Sequence, residues 1–190
     1  MAAMKKDLRR SALAARMALS EREFESLNSE LLGHFTRLDL PETGTVHIFL
    51  PIESKREPDT FRLIDWLRSA RPGLRILVPK ADFDTALMSH HEYLGRDDLK
   101  KNLYEILEPE KGAMHDGEID IVFVPLLAAD RRGYRVGYGK GFYDRFLDGL
   151  QARAIGISLA EPIAEITDIH DQDIRLDACL TPSGLYTFGR

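Results

Sequence analysis

The sequence predicts an α/β fold, a three-layer sandwich in which a mainly parallel central sheet carries helices on both faces. Three observations predict it. Four short runs rich in β-branched residues, VHIFLP (46–51), LRILVP (74–79), IDIVFVP (119–125) and AIGISLA (154–160), have the length and near-continuous apolarity of strands buried on both sides. Stretches with a helical apolar period precede or separate them. No internal repeat, low-complexity tract or linker breaks the alternation, so residues 1–190 read as one domain, long enough to bury a sizeable core.

Taken in order, residues 4–18 predict a helix with Leu8, Ala12, Ala15 and Leu19 on one face. Lys5 and Arg9 stand four apart on another face, where like charges repel by a few tenths of a kcal/mol unless an anion lies between them. A solvated basic face or an Arg-rich targeting helix would also explain that pair. A second helix starts at Ser20, where Ser-Glu-Arg-Glu spells a capping box ahead of Phe24, Leu27 and Leu31. Thr60 to Ala70 repeats the period through Phe61, Leu63, Ile64 and Leu67, with Asp59 or Thr60 as its cap. LMSHHEY (87–93) has the pattern of an antiparallel strand. Its adjacent His90 and His91 would face opposite ways, a poor chelate. Residues 80–118 otherwise suggest no chemistry, and neither do His34, His47, His115 and His170. The lone cysteine, Cys179, sits in the apolar run DACL and reads as a buried structural thiol.

The informative stretch is Val124 to Leu147, VPLLAADRRGYRVGYGKGFYDRFL, which leaves a strand, crosses a glycine-rich loop and enters a helix whose first turn carries Asp144. Gly133, Gly137, Gly139 and Gly141 allow backbone to approach a ligand, and Arg131, Arg132, Arg135, Lys140 and Arg145 surround them with positive charge. Amide donors, a helix N-terminus and clustered cations suit a polyphosphate, although a merely basic surface loop has the same composition. Neither common phosphate signature fits. A P-loop needs glycine at 134 and Ser or Thr at 141, where Tyr134 and Gly141 stand; a dinucleotide fingerprint needs a small residue at Phe142. Ligands of parallel sheets bind beyond the carboxyl ends of the strands, which gathers the loops at 51–59, 125–143 and 160–173 at one edge.

Composition excludes several classes. Net charge −5 argues against a dedicated nucleic-acid binder, which needs a broadly basic face. No apolar run approaches a membrane span and the N-terminus lacks a signal-peptide core, so a cytoplasmic protein with no membrane partner is expected. One cysteine cannot close an internal disulfide.

The segment GYRVGYGKGFYDRFL resembles the signature of the 5-formyltetrahydrofolate cyclo-ligase family, Gly-x-Arg-Leu-Gly-x-Gly-x-Gly-Tyr-Tyr-Asp. Gly133, Arg135, Gly137, Gly139, Gly141, Tyr143 and Asp144 match, with Val136 in place of Leu and Phe142 in place of Tyr. The resemblance extends over nearly the whole chain. It implies a monomeric enzyme whose partners are small molecules, ATP as co-substrate and 5-formyltetrahydrofolate, with Mg2+ as cofactor. The implied ATP site comprises Lys5, Arg9, Arg135, Gly137, Tyr138, Gly139, Lys140, Gly141, Phe142 and Tyr143. Leu50, Glu57, Tyr138 and Phe142 would border the folate, and Tyr138 and Phe142 offer flat ring faces, although Phe142 also shares a helical face with Phe146 and Leu150. Arg135, Lys140 and Tyr143 would act on the reacting groups. Asp144 and Asp173 would hold magnesium, a hard cation suited to few carboxylates plus phosphate oxygens and water. Two other classes fit the bare residues: a sugar-phosphate enzyme on a similar fold, and a non-catalytic nucleotide or folate binder.

Overall fold

The computed structural model describes residues 2–189. Its main elements are α1 (Lys5–Ala18), α2 (Glu21–Phe35), β1 (Gly44–Ile48), α3 (Thr60–Ala70), β2 (Leu74–Asp82), β3 (Leu87–Glu92), β4 (Met114–His115), β5 (Ile121–Pro125), α4 (Phe142–Leu147), β6 (Arg153–Ile157), β7 (Ala178–Thr181) and β8 (Gly184–Thr187). One eight-stranded sheet runs in the order β8-β7-β6-β5-β1-β2-β3-β4. The chain is therefore a mixed α/β protein. The strands from β7 to β2 pair in parallel, whereas β8, β3 and β4 add antiparallel edges.

The apolar runs are continuous because each strand buries both of its faces. Val46, Ile48, Ile76, Val78, Phe123 and Ile155 point to one side, where Leu31 and Phe35 of α2 and Ile64 and Leu67 of α3 cover them. Leu77, Val122, Val124, Ala154 and Cys179 point to the other, with Leu147 of α4 among them. Burying each Val, Leu, Ile or Phe among them contributes about 1.5–3 kcal/mol, which makes a one-residue register slip prohibitive. Cys179 is fully buried and burial pushes its thiol up to about 12, as a structural thiol requires. A smaller cluster, Leu8, Ala128, Val136 and Ile166, fastens α1 to the base of the glycine-rich loop.

Local signals hold at some helix ends and fail at others. Ser20 and Glu23 close the capping box of α2. At α3, Asp59 occupies the cap position without a side-chain cap bond; it pairs with Arg62 instead, at 2.8 Å. The Thr60 hydroxyl also does not cap but donates to the Phe49 carbonyl at 2.7 Å, tying α3 to the end of β1. At α1, an acid from the far end of the chain substitutes for a local cap: Asp168 Oδ1 accepts the Lys5 N–H at 2.7 Å. Among the described residues, no helix is long and apolar enough to cross a membrane.

The topology also locates a crevice. From β1 the chain moves outward to β2, and from β5 it moves the opposite way to β6 and β7. The order reverses between β1 and β5, the place where open α/β sheets bind ligands beyond the strand ends.

Candidate active site

A cavity of about 470 Å³ opens there, lined by Phe49 and Leu50 after β1 and by Pro125 at the end of β5. All fourteen residues singled out from the sequence line it: Lys5, Arg9, Leu50, Glu57, Arg135, Gly137, Tyr138, Gly139, Lys140, Gly141, Phe142, Tyr143, Asp144 and Asp173. They arrive from four separated stretches of chain.

Arg135 forms the cavity's buried cation. Its guanidinium donates to the Ile174 carbonyl and to Asp144 Oδ1, the latter at 2.7 Å. Burial lowers its pKa against the pull of Asp144 and Asp173, and a guanidinium keeps its charge in proteins. Lys5 is likewise buried, with Nζ bonded to Asp173 Oδ2. Burial acts to raise the Asp173 pKa, but the hydrogen bonds from Lys5 and from the His170 N–H outweigh it and hold the carboxyl below its usual range. Arg9 donates to the Gly137 carbonyl at 3.0 Å and lies against the glycine loop. Lys140 is exposed at the rim.

The surrounding positive charge expected from sequence is only partly present. Arg132 is taken by Asp130 and Glu165, and Arg145 by the carbonyls of Ala86 and Lys140. Neither lines the cavity, nor does Arg131. The helix after the loop has only six residues, so its dipole adds little, and the side chains of Lys5, Arg9, Lys55, Arg135 and Lys140 supply the positive field.

Asp144 and Asp173 each have one oxygen anchored. Oδ1 of Asp144 accepts from Arg135 and the Ile174 N–H; Oδ2 of Asp173 accepts from Lys5 and the His170 N–H at 2.7 Å. Among the described residues the second oxygen of each accepts no hydrogen bond, so two oriented hard donors stand at the cavity. No group of three or more His, Cys, Asp or Glu side chains is arranged to hold a metal among those residues. Two carboxylate oxygens fit magnesium, which takes its remaining ligands from water and phosphate.

Glu57, also lining the cavity, is buried, with Oε2 accepting the Ile52 N–H at 2.8 Å and Oε1 accepting the Tyr138 hydroxyl at 2.8 Å. Burial raises its pKa; the bonds from Ile52 and Tyr138 and the charges of Arg16 and Lys55 offset only part of the rise. The hydroxyl of Tyr143 is buried and unpartnered among the described residues. Burial drives its pKa up, so it is a neutral donor without an acceptor.

The sequence model of the 5-formyltetrahydrofolate cyclo-ligase family matches residues 1–182. The chain belongs to that family. It is 31% identical over 186 residues to the 5-formyltetrahydrofolate cyclo-ligase of Mycolicibacterium smegmatis, covering 94% of this chain and 93% of that one. It is 30% identical over 150 residues to the enzyme of the same name from Escherichia coli K12, covering 75% and 80%. An Aquifex aeolicus structure titled 5,10-methenyltetrahydrofolate synthetase superposes with a TM-score of 0.81 at 27% identity, covering 98% of this chain and 94% of its own. A 5,10-methenyltetrahydrofolate synthetase from Mycoplasma pneumoniae gives 0.68 at 25% identity, with 94% and 98% covered. The chain is thus an enzyme of a ligase family acting on a small-molecule folate.

For a cyclo-ligase, the stretch read as silent proves to build a wall of the site. Phe83, Met88, Tyr104 and Ile106 from residues 80–118 line the cavity. The Phe83 ring stands 4.2 Å from Tyr104 and 5.4 Å from Phe142. Phe142 therefore faces the cavity, and Phe146 alone of the pair packs inward, against His47 and His90. Arg16 was also missed. It donates to the Lys55 carbonyl at 2.8 Å and to the Tyr138 oxygen at 2.5 Å. Its signal was present in the sequence: Lys5, Arg9 and Arg16, spaced by four and seven, fall on one helical face.

Proposed function

We propose that this cyclo-ligase uses ATP and magnesium to convert 5-formyltetrahydrofolate to 5,10-methenyltetrahydrofolate, ADP and phosphate. The observation that carries the reading is the convergence of the glycine loop, the Lys5/Arg9 face, Glu57 and two half-anchored aspartates on one cavity. In this scheme the formyl oxygen attacks the γ-phosphorus while the bond to ADP breaks. The neighbouring folate nitrogen then attacks the formyl carbon, loses its proton, and expels the phosphate as the ring closes. Phosphorylation is needed because oxide is a poor leaving group and phosphate a good one.

The protein's part is positioning and charge stabilisation. Arg135, clamped by Ile174 and Asp144, is a fixed cation for phosphoryl oxygens, and Lys140 is an exposed one at the rim. Lys5, Arg9 and the backbone of Gly137, Gly139 and Gly141 hold the remaining phosphates. The unpartnered Tyr143 hydroxyl donates to a reacting oxygen. Phe142 and Tyr138 give ring faces, and Leu50 and Glu57 border the pteridine, the carboxylate accepting from its N–H groups. Asp144 and Asp173 would hold magnesium, which supplies charge neutralisation to the phosphates when bound. We read the helices on either face of the sheet as the outer layers of a three-layer sandwich, and the working protein as a cytoplasmic monomer.

The test follows the methenyl chromophore. Absorbance should appear from 5-formyltetrahydrofolate only when ATP and a divalent cation are both present. Equal turnover without ATP would overturn the mechanism, and sugar-phosphate binding without ATP binding would favour a sugar-phosphate enzyme on a similar fold.

A further inference from the structure

Tyr138 occupies the position between Gly137 and Gly139 at which the family signature leaves the residue open, yet in this chain its hydroxyl joins two other segments. Its hydroxyl lies 2.8 Å from Glu57 Oε1 and 2.5 Å from an Arg16 nitrogen. Arginine can only donate, so the direction of the chain of bonds is fixed: Arg16 donates to the tyrosine oxygen, and the tyrosine proton goes to the carboxylate. Arg16 is itself buried and held by the Lys55 carbonyl at 2.8 Å. The Lys55 ammonium lies over the Tyr138 ring, 4.1 Å from its centroid. Three segments far apart in sequence, α1, the 52–57 turn and the glycine loop, are thus locked by one hydroxyl.

We propose that Arg16 and Tyr138 are positioning residues that hold the Glu57 carboxylate as a charged acceptor in one orientation toward the folate half of the cavity. The inference rests on the reading of Glu57 as a substrate contact and extends it to two residues that touch Glu57 directly or through each other. Each carboxylate oxygen has two acceptor directions, so the bonds from Ile52 and Tyr138 leave one on each oxygen for a ligand's N–H groups. The groups facing Glu57 are Arg16 from α1, Lys55 from its own turn, Tyr138 from the loop and Tyr143 from α4. Both cations favour the ionised form against the burial that opposes it. A tyrosine at the open position therefore does more than cover the site: it selects ligands that present donors to a fixed anion.

Three variants test this: Tyr138→Phe, which keeps the ring and its lysine contact; Arg16→Gln, which removes the charge; and Arg16→Lys, which restores charge without the fork. Glutamate labelled with carbon-13 at the carboxyl, followed by NMR, reads the Glu57 titration without requiring turnover. Tyr138→Phe and Arg16→Gln should move that titration to higher pH by about one unit. They should also raise KM for 5-formyltetrahydrofolate by about tenfold, more than they raise KM for ATP. The acid limb of kcat/KM for the folate should shift up in parallel, and Arg16→Lys should return the titration but not the KM. An unmoved Glu57 titration, or equal rises in both KM values, overturns the proposal. Absence of turnover by the parent chain is a separate result, and it overturns the functional reading.

Discussion

Acidification should loosen the underside of the active site. His47 on β1 is fully buried, and neither of its ring nitrogens has a partner among the described residues. Its ring lies 5.0 Å from His90, 4.9 Å from Phe146 and 6.1 Å from Tyr143, so the pair sits beneath the helix that carries Tyr143 and Asp144. Burial, with the charges of His91 and His115, lowers His90 to about 4; burial, with His90, holds His47 well below its usual range. For a histidine with a depressed folded pKa, the unfolded chain binds more protons between about 4 and 6.5. Stability is therefore complete above pH 6.5 and is lost as pH falls through that window.

The size of the loss follows from the shift. Between the ordinary 6.5 and about 4 for His90, at about 1.4 kcal/mol per pH unit, the ceiling is about 3.5 kcal/mol. Because the ring is only partly buried, solvent screening reduces this to about 1.5–2 kcal/mol. His47 adds in the same direction. Glu57 opposes both just above its ordinary pKa, since a carboxyl raised by burial favours the fold when protonated. The assay is urea unfolding at pH 7 and pH 4.5, on the parent and on His90→Phe, which retains the stack on Phe146 at 4.0 Å without a titrating group. The variant should lose about 1–1.5 kcal/mol less than the parent over that interval, which stops short of the folded pKa. Parallel pH dependence in the two proteins would refute the assignment.

Two further outcomes test the catalytic face. Lys140→Met should raise KM for ATP or lower turnover by roughly ten- to a hundredfold at unchanged magnesium dependence, whereas Asp144→Asn should raise the magnesium requirement; like behaviour of both in ATP and magnesium titrations would make the loop structural. Gly139→Ala places a methyl at φ +87°, 3.2 Å from the Arg9 guanidinium carbon, so it should weaken ATP binding measured calorimetrically while costing about 1–2 kcal/mol of stability; unchanged ATP affinity would separate Arg9 from the nucleotide.

What was legible in the sequence is what depends on local pattern. Double-sided burial writes itself as continuous apolar runs, so β1, β2, β5 and β6 were placed within a few residues, and the capping box of α2 needed only Ser20 and Glu23. β7 and β8 were not assigned, because ACLT and GLYT are four residues each and join through a tight turn with little period. The cavity's motif residues were readable because spacing survives in the chain. The contacts that define their environment were not. Lys5 to Asp173 spans 168 positions and Arg16 to Tyr138 spans 122, and neither separation leaves a mark in either segment. His47 shows the same limit from the other side: a lone histidine in an apolar run carries no sign that its two nitrogens go unpartnered.

The distribution of charge in the cavity has a consequence for how its ligands bind. Five cations and four acids line it, although the chain as a whole carries −5. Two of the cations are already matched: Arg135 to Asp144 and Lys5 to Asp173. A polyphosphate arriving alone meets Arg9, Lys55 and Lys140 but also the unshared oxygens of both aspartates, which repel it. A divalent cation arriving alone meets those oxygens but also the two cations that hold them. Only the two together satisfy both sets, because each neutralises the charge that opposes the other. On the proposed function, ATP affinity and magnesium affinity should therefore be coupled through these two ion pairs, each ligand strengthening the other by the same factor. Neutralising Asp173 as Asp173→Asn removes part of the repulsion and frees Lys5, so metal-free ATP should bind this variant more tightly than it binds the parent while the gain from magnesium shrinks. Calorimetric titration of ATP with and without magnesium measures both terms, and an unchanged magnesium gain in the variant would show that the ion pairs do not carry the coupling.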